Sequence, residues 1–163
     1  MEYSKIDKLN VNPSLLGFGC MRFPKKEDGT IDEVDSVLGE ARAFATHDNV
    51  KETIYALQKE LWLLMADVAS VGKEANITPD HVTKLEQIID TYTDELAPLD
   101  HFLVPGDTQS ASFLDVARTV VRRAERDMWR LSEEEEVHEV DIRYLNRLSD
   151  LCFTLARYEA EVK

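Results

Sequence analysis

The chain has 163 residues, with 19 Lys and Arg against 32 Asp and Glu, and a formal net charge of −13. That balance argues against non-specific nucleic-acid binding and against docking on an anionic membrane, so any anionic ligand has to meet a local cluster of cations. Hydrophobic residues make up 44% and charged residues 31%, the mixture of one globular domain with a sizeable core. The two cysteines, Cys20 and Cys152, are too few and too far apart for a disulfide framework or a zinc site, and no stretch reads as a signal peptide or a membrane span. The expectation is a reduced, cytoplasmic protein.

Residues 1–30 carry three of the six glycines and show no helical period, so they read as an irregular N-terminal arm ahead of a helical unit at 31–163. Gly17-x-Gly19 lacks the third glycine and the helix that a dinucleotide fingerprint needs. A first helix is expected from near Asp32, capped by Thr30 or Asp32, with Val34, Val37, Leu38, Ala41 and Phe44 on its apolar stripe. A second is expected from about Val50 to Val71, seamed by Ile54, Leu57, Leu61 and Leu64 and stopped at Gly72. Thr78-Pro79-Asp80 announces a third, which Pro98 ends. The connection PLDHFLVPGDT cannot be regular, yet it holds Phe102, Leu103 and Val104, so it either packs on the bundle or binds something. Ala111–Leu131, free of Gly and Pro, reads as a long fourth helix, and the chain is expected to be organised around it. A solvated turn at Glu133–Glu136 leads to a fifth helix from about Val140 to Glu161. Five amphipathic helices with short connections make an all-α, up-down five-helix bundle.

The fourth helix poses the chemical question. Leu114, Ala117, Val121, Ala124 and Met128 form a buried face, while Arg118, Arg122 and Glu125 share a second stripe. Arg118, Arg122, Arg123 and Arg126 are either a salt-bridged surface or an electropositive wall for a phosphate chain, because the guanidinium fork binds phosphate oxygens two at a time. Asp32 and Glu33 either complement their helix dipole or pair with a fourth-helix arginine. On the fifth helix Asn146, Ser149 and Asp150 share one face; Asn146 offers an amide able to read a purine edge, and Asp150 is expected to pair with a fourth-helix arginine. The four histidines show no metal-ligand spacing, and no metal site is expected from protein side chains. Cys152 falls on the apolar face of the fifth helix and reads as a small core residue.

Four segments together carry a family resemblance: GTIDEVDSVLGEARAF at 29–44, FLVPGD at 102–107, ARTVVRRAER at 117–126 and YLNRLSDLCFTLARY at 144–158. From about Gly29 to Tyr158 the chain resembles the PduO-type ATP:corrinoid adenosyltransferases. The resemblance implies a five-helix bundle that assembles as a homotrimer with active sites between subunits. It implies transfer of the 5′-deoxyadenosyl group of ATP to cob(I)alamin, with Mg²⁺ accompanying the triphosphate, and a reductase or B12-dependent enzyme as a further partner. It implies ATP contacts from Arg122, Arg123, Glu125, Arg126 and Asn146. It also implies a salt bridge across the subunit interface between Asp32 and Arg118, and a Phe102 packed beneath the corrin.

The chain departs from that pattern in places. The Thr/Gly-rich N-terminal loop that wraps the triphosphate is replaced, and residues 10–33 instead resemble the opening strand and turn of an aldo/keto reductase. Asp107, Asp115 and Asp35 stand where glycine, histidine and asparagine are common in the family. The alternative expectation is therefore a bundle that binds a corrinoid, a nucleotide or a partner without transferring adenosyl.

Overall fold

A computed structural model describes residues 29–69 and 74–162. The five expected helices are present: α1 (Gly29–Phe44), α2 (Asp48–Val68), α3 (Pro79–Thr93), α4 (Gln109–Leu131) and α5 (Glu139–Glu161). No strand occurs among the described residues.

The ends of the helices differ in detail from the sequence expectation. Gly29 and Thr30 already belong to α1, so the helical unit opens before residue 31, and Thr30 and Asp32 lie inside the first turn rather than capping it. The Thr30 hydroxyl instead donates to Asp127 Oδ2 of α4 at 3.2 Å. The rest of the arm, with Cys20 and residues 10–28 of the reductase-like piece, lies outside the described residues, as does Gly72; the remainder of that piece, 29–33, is helical in α1. Thr78 and Pro79 start α3 as expected, and the Thr78 N–H donates to His81 Nδ1 at 3.1 Å. Thr108 starts α4 two residues earlier than the apolar pattern suggests, its hydroxyl oxygen accepting the Ala111 N–H at 3.0 Å.

Around the bundle α2 packs on α1, α1 on α4, α4 on α5 and α5 on α3, while α2 also touches α5. The helix at the centre is thus α5, flanked by three others, rather than α4. Its Leu145, Leu148, Leu151, Cys152 and Leu155 are fully buried, facing Leu114 and Val121 of α4 and Leu57, Leu61 and Leu64 of α2 in one core. Burial pushes the Cys152 thiol up to about 12, which leaves it an inert core residue, as its place in the sequence suggests.

Three polar clips pin the helices. The Glu159 carboxylate of α5 accepts from the backbone N–H groups of Thr46 and His47 at 2.9 and 3.1 Å, closing the α1–α2 turn. Glu60 of α2 accepts from the Tyr144 hydroxyl of α5 at 2.9 Å and from Lys84 of α3 at 2.6 Å. Asp67, near the end of α2, accepts from the Asn76 and Ile77 N–H groups at 2.7 and 2.8 Å and lies beside the buried Asp141 of α5.

Candidate functional site

The stripe read from the sequence is real, and the structure divides its residues. Helix α4 presents Ala117, Val121, Ala124 and Met128 to the core, so Arg118, Arg122 and Arg126 fall on its outer flank. Arg118 pairs with Asp115 of its own helix at 2.8 Å, which neutralises that carboxylate. Arg122 is half exposed and reaches Glu125 Oε2 at 3.2 Å. Arg123 pairs with Glu33 of α1, so of the two acidic residues at the start of α1 it is Glu33 that is seen to meet a fourth-helix arginine. Arg126 makes no ion pair among the described residues, and its side chain is exposed. An arginine with one partner or none keeps most of its five N–H donors for a ligand.

Glu125 and Asn146, both expected as nucleotide contacts, touch each other. The Asn146 amide of α5 donates to Glu125 Oε1 at 3.0 Å, and Glu125 is 9% exposed. Ser149 turns its hydroxyl back to the Asn146 carbonyl at 2.8 Å. Asp150, expected to meet a fourth-helix arginine, pairs instead with Arg147 one turn away at 2.8 Å, because the face of α5 it occupies looks towards α3. Arg147 also reaches Glu86 of α3 at 2.9 Å, and these two acids hold its guanidinium charged more firmly than usual.

A cleft of about 190 Å³ opens between α3, α4 and α5 beside this pair. Val82 and Glu86 of α3 line it, with Glu125 and Trp129 of α4 and Ile142, Arg143, Asn146 and Arg147 of α5. Sequence reasoning names Glu125 and Asn146 but misses Trp129 and Arg143. The available signal is spacing: Trp129 and Arg143 stand about one turn from Glu125 and Asn146 on their helices.

The connection between α3 and α4 is open to solvent. Phe102 is 101% exposed and Val104 82%, and Gly106 takes φ 126°, a left-handed conformation that favours glycine in the turn. Of the two roles left open for this loop, packing on the bundle is excluded for Phe102 within one chain. Three of the four histidines have side-chain partners within the chain: His47 faces Glu159, His81 accepts the Thr78 N–H, and His101 pairs with Asp100.

Residues 26–159 match the family model for cobalamin adenosyltransferase. The chain belongs to the cobalamin adenosyltransferase family. A corrinoid adenosyltransferase of Bacillus subtilis is 42% identical over 135 residues, covering 79% of this chain and 70% of that protein. The corrinoid adenosyltransferase PduO of Salmonella typhimurium is 37% identical over 136 residues, which is 80% of this chain and 40% of that longer protein. Among solved structures, a phenylalanine-to-alanine variant of the PduO-type ATP:corrinoid adenosyltransferase of Lactobacillus reuteri, complexed with cobalamin and ATP, superposes with a TM-score of 0.75 at 31% identity, covering 80% of this chain and 76% of that one. An arginine-to-lysine variant of the same enzyme, complexed with ATP, gives 0.73 at 32% identity over 80% and 77%. The aldo/keto reductase reading of residues 10–33 finds no support in these relatives. No described helix is long and apolar enough to cross a membrane.

Proposed function

We propose that this protein transfers the 5′-deoxyadenosyl group of ATP to cob(I)alamin and releases triphosphate. The observation that carries this reading is the meeting of Glu125 and Asn146 at one cleft, with Arg122 paired to Glu125 beside it, in a chain that matches the adenosyltransferase family over residues 26–159. The electron pair of Co(I) attacks C5′ of ATP; the C5′–O bond breaks, and its electrons leave with the triphosphate. Cobalt is the nucleophile, so the protein needs no serine, cysteine or histidine for the attack. Its task is to orient C5′ and to hold the charge that gathers on the departing phosphates. Arg122 and Arg126, with donors to spare, serve that charge, and Arg123 adds to it when Glu33 is displaced.

Phe102 supplies the second requirement. Its ring lies wholly in water in the single chain, which is unfavourable unless a ligand or a neighbouring subunit covers it. Packed beneath the corrin it displaces the lower ligand and keeps water from the reduced metal. A homotrimer with the site between subunits supplies such a cover, and Asp32 of one copy then competes with Asp115 for Arg118 of the next. Mg²⁺ fits as part of the ATP complex, with phosphate oxygens as its hard donors. A cytoplasmic setting, with a reductase to deliver Co(I), fits the free, buried Cys152.

Of the two readings raised by the replaced N-terminal loop, the relatives support transfer over a bundle that only binds. The deciding assay is anaerobic, with chemically reduced cobalamin, Mg²⁺ and ATP. Adenosylcobalamin and triphosphate should appear in equal amounts; a folded chain that forms neither refutes the proposal.

A further inference from the structure

Every residue of 97–107 is exposed, and the segment carries four apolar side chains, Leu99, Phe102, Leu103 and Val104. Among the described residues, one hydrogen bond ties this segment to a helix: Arg157 Nη2 of α5 donates to the Ala97 carbonyl oxygen at 2.8 Å. Arg157 itself is buried, only 9% exposed. We propose that Arg157 is a positioning residue for adenosyl transfer, holding the root of the α3–α4 connection so that Phe102 is presented to the corrin. The inference rests on the corrin role proposed above for Phe102.

The guanidinium is fixed before it reaches the connection. Its Nε and Nη2 donate to the two carboxylate oxygens of Glu161, one turn on, at 2.9 and 3.1 Å. That two-point grip sets the plane of the guanidinium, and the second N–H of Nη2 is the one left for Ala97. Pairing within α5 is complete with Glu161 alone. The bond to Ala97 is additional, and it joins α5 to a segment 60 residues away in the chain. A lysine, with one nitrogen on a flexible stem, cannot hold both partners in this geometry.

What the bond fixes is direction. Pro98 follows Ala97, and its ring holds φ at about −65°. The same ring keeps Ala97 in the extended region. Pinning the Ala97 carbonyl then sets the tilt of the planar peptide between the two residues. The connection therefore leaves the bundle along one line, and Phe102 follows four residues after Pro98. The chain just before Ala97 is also held: the hydroxyl of Tyr158, next to Arg157 on α5, donates to Glu95 Oε2 at 3.0 Å, and Leu96 packs against the core. Without the Arg157 bond the connection swings from Leu96. The lost order must then be restored each time the Phe102 ring meets the corrin, which slows transfer without touching the nucleotide.

A double-mutant cycle on turnover of the full chain, with ATP and chemically reduced cobalamin, separates positioning from general structure. Arg157→Lys should lower kcat by roughly fivefold and leave KM for ATP unchanged, because a misplaced group costs rate rather than donor binding. In a Phe102→Ala background the same change should cost less than about twofold, since no ring is left to position. Equal losses in both backgrounds, or no loss in the first, overturn the proposal. Natural turnover in Phe102→Ala overturns instead the corrin reading on which it rests. Should Arg157→Lys fail to fold, Pro98→Ala carries the same cycle: it is an exposed change that frees the same peptide, and it should lower kcat by about twofold only while Phe102 is present. A further readout needs no activity. Chymotrypsin cuts after exposed aromatic residues, so cleavage after Phe102 should be roughly fivefold faster in Arg157→Lys and about twofold faster in Pro98→Ala. Cleavage at the natural rate in both variants shows that the root is not held by this bond and overturns the tether.

Discussion

Glu159 on α5 is 3% exposed, and its two oxygens accept from the Thr46 N–H, the Thr46 hydroxyl, the His47 N–H and His47 Nδ1 at 2.8 to 3.1 Å. Arg122 on α4 is half exposed and among the described residues pairs with Glu125 alone. Both are charged residues on long helices, and the fold treats them in opposite ways. Where a charge holds helices together, its hydrogen-bonding capacity is used up inside the chain, because an unmet buried charge costs several kcal/mol. On the proposed reading Arg122 keeps the rest of its donors open for the phosphates of ATP. The same division separates Tyr144, fully buried and bonded to Glu60, from Phe102, fully exposed and bonded to nothing. Residues of the first kind should alter stability and spare ligand binding; residues of the second kind should do the reverse.

The sharpest way to break the comparison is to change pH, because the buried carboxyl of Asp141 is not fully met. Asp141 is 1% exposed and its Oδ1 has no partner. Burial pushes its carboxyl up to about 7, and the charge of Asp67 and a hydrogen bond shared with it push the same way. A folded-state value above the ordinary 3.8 means that the folded chain binds the extra proton. Its contribution is complete below about pH 4 and is lost as pH rises through about 7. Urea unfolding should therefore show stability falling by on the order of 2–4 kcal/mol between pH 4 and pH 8. Asp141→Asn, which keeps a donor towards Asp67, should flatten that slope. A natural chain whose stability does not fall over this window removes Asp141 from the set of proton-linked groups.

Glu159→Ala comes next. It strips the acceptor from two backbone N–H groups at the α1–α2 turn, and a loss of about 3 kcal/mol in unfolding free energy is expected. Burial alone would raise the Glu159 carboxyl, but the N–H groups of Thr46 and His47 outweigh it and hold the carboxyl below its ordinary 4.5. Its contribution is thus present above about pH 4.5 and disappears as pH falls through the lowered value, opposite in sign to that of Asp141. ATP affinity should be unchanged in calorimetry; a loss of ATP binding as large as the loss of stability would erase the division between the two kinds of residue.

On the other side, Arg122→Ala should weaken ATP binding by about 1.5–3 kcal/mol, the scale of hydrogen bonds to a charged group, while moving the unfolding midpoint little. Phe102→Ala should spare ATP binding and slow adenosyl transfer by roughly 10- to 100-fold, the equivalent of 1.5–3 kcal/mol for burying a phenylalanine against a ligand. Unchanged ATP affinity in the first, or unchanged turnover in the second, removes that residue from the site.

How much of this was legible from the chain follows the same line. The helices were, because the 3.6-residue period and the Thr78-Pro79 start are local signals. The arginine stripe was legible as a row along one flank of α4, because its spacing is local, while the ligand roles proposed for it and for Phe102 rest on the motifs that carry the family resemblance. The centrality of α5 was not: α4 has an equally regular apolar face, and which helix is surrounded on three sides depends on how distant segments pack. Glu159 and Asp141 were not either, since in a chain with 32 acidic residues a buried carboxylate looks like any surface one. The partners of Glu159 lie 112 and 113 residues away. Glu125 and Asn146 were each named, but their contact across 21 residues, and the cleft that Trp129 completes, needed the packed helices.

The smallest expected effect tests whether the buried side of the comparison has redundancy. The Tyr144 hydroxyl donates to Glu60 Oε2 at 2.9 Å, and burial with the neighbouring Glu60 charge keeps that phenol protonated well past its ordinary range. Lys84 meanwhile donates to Glu60 Oε1 at 2.6 Å. In Tyr144→Phe the ring still fills its place and Glu60 keeps its cation, so only one hydrogen bond is removed, worth about 1 kcal/mol. The urea midpoint should fall by that amount with an unchanged slope, and ATP and corrinoid binding should not change. A loss above about 3 kcal/mol would mean that Lys84, which is half exposed, does not hold the Glu60 charge on its own. The tyrosine hydroxyl would then be the true partner of that buried carboxylate, and the α2–α3–α5 junction would hang on one neutral donor rather than two.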